Sequence, residues 1–142
     1  KMGRVFFNTR KNVVSLTESY QLLAGDSGSV FMLNAAAGLT VTLPAVADAL
    51  DGWNCSIYIA TNISSNTGII TEKTASDTDV IIAQFVELEV DTADDGPSSV
   101  GCTTLTFANA LDTIGDNLHI VCDGSKYYVT GSTKLDGAVT AA

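Results

Sequence analysis

Short segments in which every second residue is apolar recur along this chain, and that period restricts it to sheet folds. Residues 39–43 read LTVTL, with Leu39, Val41 and Leu43 on one side and Thr40 and Thr42 on the other. Pro44 ends the run, because it has no N–H to give to a ladder. In residues 53–60, Trp53, Cys55, Ile57 and Ile59 share one side, opposite Asn54, Ser56, Tyr58 and Ala60. Further on, Val86, Leu88 and Val90 are expected inward, with Glu87 and Glu89 outward on a solvated face. Leu105 and Phe107 alternate with Thr104 and Thr106. Leu118, Ile120 and Cys122 alternate with His119 and Val121, and Tyr127 and Val129 with Tyr128 and Thr130.

Turn chemistry separates these runs. Asp123-Gly124 between two alternating segments predicts a hairpin with positive φ at both turn positions. Asp51-Gly52, residues 25–28, 94–97 and Gly115-Asp116 are further breaks. One short helix is expected at residues 45–50, stopped by Gly52. Closely spaced strands with almost no helix predict an all-β, antiparallel sandwich or barrel of jelly-roll type. The expected organisation is a basic N-terminal arm at 1–15, a β domain at 16–134 and a loosely held tail at 135–142.

The 142 residues suit one domain. Net charge is −9, but it is unevenly placed. Lys1, Arg4, Arg10 and Lys11 make residues 1–11 cationic with no acid. The remainder sets three lysines against all sixteen acids, a net of −13. A body this acidic repels phosphate, so nucleic acid is not an expected partner. The basic arm suits an acidic surface, and its Val5-Phe6-Phe7 patch is expected to pack on the body or on another chain. No apolar run reaches the ~18 residues that span a bilayer, and no membrane partner is expected. The N-terminus lacks signal-peptide order, and Lys1 before Met2 suits either a processed product or an incomplete start.

Residues that carry chemistry are few. Cys55, Cys102 and Cys122 are odd in number, so one at least is outside any intrachain disulfide; buried, reduced thiols are expected. With no CxxC and no His/Cys pair, neither a metal site nor a cofactor is expected. His119 is the only histidine, in mid-strand and near Asp116 and Asp123 in sequence. It is read as a strand residue and not as a general base, since no GxSxG elbow accompanies it. Glu87 with Glu89 are read as a solvated face, and Asp94 with Asp95 as part of a plain acidic turn, neither as a glycosidase pair. Residues 91–96, DTADDG, lack the spacing and distant Glu of a calcium hand. No phosphate loop is present. Trp53 is expected in the core; Tyr127 and Tyr128 point to opposite faces, one to the core and one to the surface, and Tyr58 and Tyr128 are the aromatic residues expected as surface contacts. No catalytic residue is assigned, and the protein is not expected to be an enzyme.

Residues 38–61, GLTVTLPAVADALDGWNCSIYIAT, resemble a module of tailed-bacteriophage virion proteins: a "tvtLP" strand, a helical turn, a Gly, then an alternating strand. Residues 115–131, GDNLHIVCDGSKYYVTG, are similar to that module's closing hairpin. Tyr127-Tyr128 stands where a Trp is common, and residues 91–97 form an acidic insertion. The resemblance implies a capsid decoration, or cement, protein on the outer surface of the virion. It would be a homotrimer that binds the major capsid protein and bridges its subunits. Lys1, Arg4, Phe6, Phe7, Arg10 and Lys11 would then tie the domain to the shell or to a sister subunit. The alternative is a receptor- or glycan-binding module of a tail fibre or spike.

Overall fold

Alternating apolar residues place one side of each strand against a partner sheet, and here that produces two sheets around one core. The computed structural model describes residues 10–71, 79–89 and 98–142. The strands are β1 (Val13–Leu16), β2 (Tyr20–Gln21), β3 (Val30–Leu33), β4 (Val41–Leu43), β5 (Asp51–Ile59) and β6 (Thr67–Thr71). They continue with β7 (Ile81–Glu87), β8 (Ser98–Cys102), β9 (Thr104–Phe107), β10 (Asn117–Asp123), β11 (Tyr127–Thr133) and β12 (Val139–Ala141). One α-helix, α1 (Val46–Ala49), and a 3-10 turn at Ala24–Asp26 complete the described elements.

The seven-stranded sheet has the order β1-β3-β5-β10-β11-β7-β8, and the five-stranded sheet β12-β9-β6-β4-β2. The fold is therefore the expected all-β sandwich, but the pairing is mixed and not antiparallel throughout. From β1 to β6 the chain alternates between the sheets. Each return to a sheet follows a strand in the other, so β1, β3 and β5 run parallel, as do β2, β4 and β6. A strand in the opposite sheet thus supplies the crossover that parallel pairing needs. β10 then closes on β5 antiparallel, and β9 on β6.

The core unites the inward sides of both sheets in one cluster, including Phe31, Leu33, Val41, Leu43, Ile57, Ile69, Leu105, Phe107, Leu118 and Tyr127. At about 1.5–3 kcal/mol per fully buried large apolar side chain, this cluster is the principal favourable term. Trp53 is buried, its ring edge-on to Tyr127 at 6.0 Å. All three cysteines are buried as thiols. Burial pushes the Cys55 thiol up to about 12, with the Asp26 charge adding to it.

Four local expectations are corrected. In β7 the inward residues are Ile81, Ala83 and Phe85, while Val86 and Leu88 are exposed; Val90 lies outside the described residues. The Phe85 ring settles the register, because it faces Gly131 on β11, which has no side chain to exclude it. Glu87 is half-buried and not solvated, its Oε1 accepting from Gly137 N–H at 3.0 Å, whereas Glu89 is exposed as expected, its Oε2 accepting from Asp136 N–H at 3.2 Å. Residues 135–142 are not loose. Ala138 and Val139 are buried, and β12 pairs antiparallel with β9. Likewise 13–15 belong to strand β1 and not to an arm.

The β10–β11 hairpin is where it was expected, with a different turn. Asp123 N–H donates to the Lys126 carbonyl, so the two-residue loop is Gly124-Ser125. Only Gly124 has positive φ, at 84°. That is the type II′ pattern, and it leaves the Asp123 carboxylate free to accept the Ser125 and Lys126 N–H groups.

Candidate interaction surface

On the outward side of the seven-stranded sheet the strand register lines up rows of side chains. One row crosses Val30, Ser56, His119, Thr130 and Gln84. The next crosses Met32, Tyr58, Asn117, Ser132 and Val86, and a third Asn54, Val121, Tyr128 and Ile82. Val13 on the edge strand, Val86, Val121 and Tyr128 are exposed large apolar residues on this side. The outward side of the five-stranded sheet is also uncharged, with Thr42, Ile70 and Thr104 in register.

The charges are elsewhere. Every described Asp, Glu, Lys and Arg sits in a connection, in a helical turn, or at the first or last position of a strand. Among the described residues the sandwich thus has two neutral sides and a charged, mostly acidic rim. A neutral side lets another protein approach without desolvating a fixed charge.

Tyr58 and Tyr128 both lie on this side, but they are not brought together. Two strands and four residues separate them, roughly 16 Å at about 4.8 Å per strand and 3.3 Å per residue. Tyr58 meets the edge of His119 at 6.0 Å. Tyr128 hydrogen-bonds the Asp123 carboxylate, which raises the phenol above its usual range. Asp123 itself is held below the usual carboxylate range, first by the Lys126 and Ser125 N–H groups. Of the expected arm contacts, Arg10 and Lys11 are exposed just before β1; Lys1, Arg4, Phe6 and Phe7 lie outside the described residues. So do residues 91–97, with Asp94 and Asp95.

His119 Nδ1 sits 3.0 Å from Ser56 Oγ on the open sheet surface. Acyl transfer needs a third group to orient the base. Asp116, its neighbour in sequence, is occupied with other work. Its carboxylate accepts from Thr113 N–H, Thr113 Oγ1 and Lys134 N–H, and so ties the β9–β10 connection to the end of β11. Asp112, in the same connection, is buried; one oxygen accepts from Ile63 N–H at 2.7 Å, and the other has no partner. Burial pushes its carboxyl up, with Asp116 adding to the effect. Among the described residues no group of three or more His, Cys, Asp or Glu side chains is placed to hold a metal ion.

Sequence reasoning missed Val13 and Val86 as surface residues. The signal for Val86 was the competing alternation Ile81, Ala83, Phe85, which places Val86 outward. A groove at one end of the sandwich, of about 480 Å³ and lined by Gln21, Leu22, Leu23, Ala24, Pro44 and Asp48, had no sequence signal. Its residues come from the end of β2 and from two connections distant in the chain. Comparison with protein-family models, with curated proteins and with solved structures finds no match.

Proposed function

We propose that this protein is a structural virion component, a decoration protein that sits on the outer head surface and stabilises contacts between major capsid protein subunits. The observation that carries the reading is the neutral outward side of the seven-stranded sheet, with Val13, Val86, Val121 and Tyr128 exposed on it and the charges kept to the rim. Such a component works by summing contact area and needs no tuned side chain. Three copies at one site on a shell add avidity without a strong single contact. The two segments that resemble virion modules also meet in space: Tyr127 Oη donates to the Pro44 carbonyl.

A sugar-binding fibre module has less support, because Tyr58 and Tyr128 are too far apart to stack on one ring. Purified protein mixed with undecorated phage heads tests the proposal. Added density at capsomer junctions is expected, and its absence rejects decoration. Saturable glycan binding lost in Tyr128→Ala would replace it with the fibre reading.

A further inference from the structure

The groove at the end of the sandwich lies where β2 and β4 finish and β3 and β5 begin. Leu22, Leu23 and Ala24 form one wall, Pro44 and Asp48 the other. Two leucines at this end are costly to leave in water: Leu23, in the groove wall, is 58% exposed, and Leu50, two residues after Asp48, is 63% exposed. Leu50 also has φ 61° and ψ 175°, backbone that glycine adopts readily and that a residue with a Cβ adopts only under strain. An apolar side chain kept exposed on strained backbone points to a contact.

The charge around the groove names the occupant. Asp48 lines it, Asp26 lies in the connection that carries Leu23, Asp51 opens β5 directly after the other connection, and neither connection, 22–29 or 44–50, contains a lysine or arginine. The complementary chemistry is a cationic segment carrying large apolar side chains. This chain has one, in residues 1–11: Arg4, Val5, Phe6 and Phe7 between Lys1 and Arg10. The arm joins the body at this same end. Val30 N–H donates to the Asn12 carbonyl, and Asn12 Nδ2 to Ser29 Oγ, on the connection that carries Leu23.

We propose that the groove receives the basic arm of a second copy of this chain. Two chains of net −9 repel each other, and an arm held by its own body leaves that repulsion in place. An arm held by its neighbour offsets it where the bodies meet. The contact is head-to-tail, and it closes into a ring if the rotation per copy allows. It requires no capsid and stands apart from the decoration reading.

The test uses the full chain. Sedimentation across a range of concentration and salt gives the assembly state. Emission from Trp53, the only tryptophan, reports on the groove, because its indole N–H donates to the Leu23 carbonyl at 3.2 Å. Concentration-dependent association that weakens in salt is expected, with a matching shift in Trp53 emission. Asp48→Lys and Phe6→Ser/Phe7→Ser should each weaken association about tenfold or more. Leu50→Gly should weaken it without lowering the unfolding midpoint, which separates a lost contact from a lost fold. No association, or association unchanged in both Asp48→Lys and the Phe6/Phe7 variant, overturns the proposal. Emission that responds to the Phe6/Phe7 variant at every concentration, with no change in mass, places the arm on its own body and also overturns it. Failure to bind heads while association persists would reject decoration and leave this inference standing.

Discussion

Tyr127 Oη donates a hydrogen bond of 2.6 Å to the Pro44 carbonyl, joining β11 to the turn after β4 across 83 residues of chain. Both groups are buried, and Pro44 stands where strand and helix meet, so its carbonyl has little other recourse. Tyr127→Phe keeps the ring against Trp53 and removes the donor alone. Leaving a buried carbonyl unsatisfied costs about 1–3 kcal/mol. Chemical denaturation should show that loss, whereas Tyr128→Phe, on the exposed side, should fall within about 0.5 kcal/mol of the parent. Equal effects from the two would mean that the Pro44 bond contributes nothing.

Gly131 faces Phe85 across the β7–β11 pair. A methyl group there would sit 2.9 Å from Phe85 Cε1 and would also meet the Asn117 carbonyl on β10. The ring could tilt away, but the carbonyl belongs to a paired strand. Gly131→Ala should therefore cost about 1–3 kcal/mol, as overfilled cores do, read as a fall in thermal midpoint. A change below about 0.5 kcal/mol would show that β10 and β11 separate freely.

The alternation in residues 53–60, 118–122 and 127–129 was legible because the inward side of each strand is apolar without a break, while the outward side, Val121 and Ala60 apart, carries polar or hydroxyl groups. The inward positions of Trp53, Cys55, Cys122 and Tyr127 follow from it directly. What alternation omits is the neighbour. Val41 and Leu43 read alike whether β4 pairs with β3 or, as here, with β2 and β6 in the other sheet. The β7 register was misread because Val86 and Leu88 mimic an inward pair; only Gly131, on a distant strand, selects Phe85. β12 was missed since Val139-Thr140-Ala141 is too short to show a period. The groove was invisible for a further reason: Leu23 and Asp48 become neighbours only when the chain has crossed between sheets.

Asp112 gives the fold a pH dependence with a definite sign. Burial raises its carboxyl above the ordinary aspartate range, so the folded chain holds that proton more tightly than the unfolded one. Its contribution is then complete below the ordinary range and is lost as pH rises through the raised value. Asp123 acts oppositely and lower: its depressed carboxyl contributes above the ordinary range and loses that contribution as pH falls. Asp112→Asn removes the first effect while keeping an acceptor for Ile63 N–H. Denaturation midpoints followed from the ordinary aspartate range upward should decline less steeply in Asp112→Asn than in the parent. Parallel curves would show that the unpartnered oxygen is solvated after all.

Val121 separates contact from stability. It is 49% exposed, in register with Tyr128 on one side and Asn54 on the other, within the uncharged side of the large sheet. Lysine at this position can extend its stem along the sheet and keep its ammonium in water, so the isolated fold should change by about 0.5 kcal/mol or less. A partner seated on this side would have to bury that charge, and the carboxylate two residues along the strand, Asp123, already accepts from the Ser125 and Lys126 N–H groups and from Tyr128. An unpaired buried charge costs several kcal/mol, enough to lower affinity by two orders of magnitude or more. Val121→Lys should therefore leave the thermal midpoint in place and abolish head binding. Full binding by a folded Val121→Lys chain would move the contact off this side of the sheet, leaving the rim or the threonine-bearing opposite side as the surface that meets the shell.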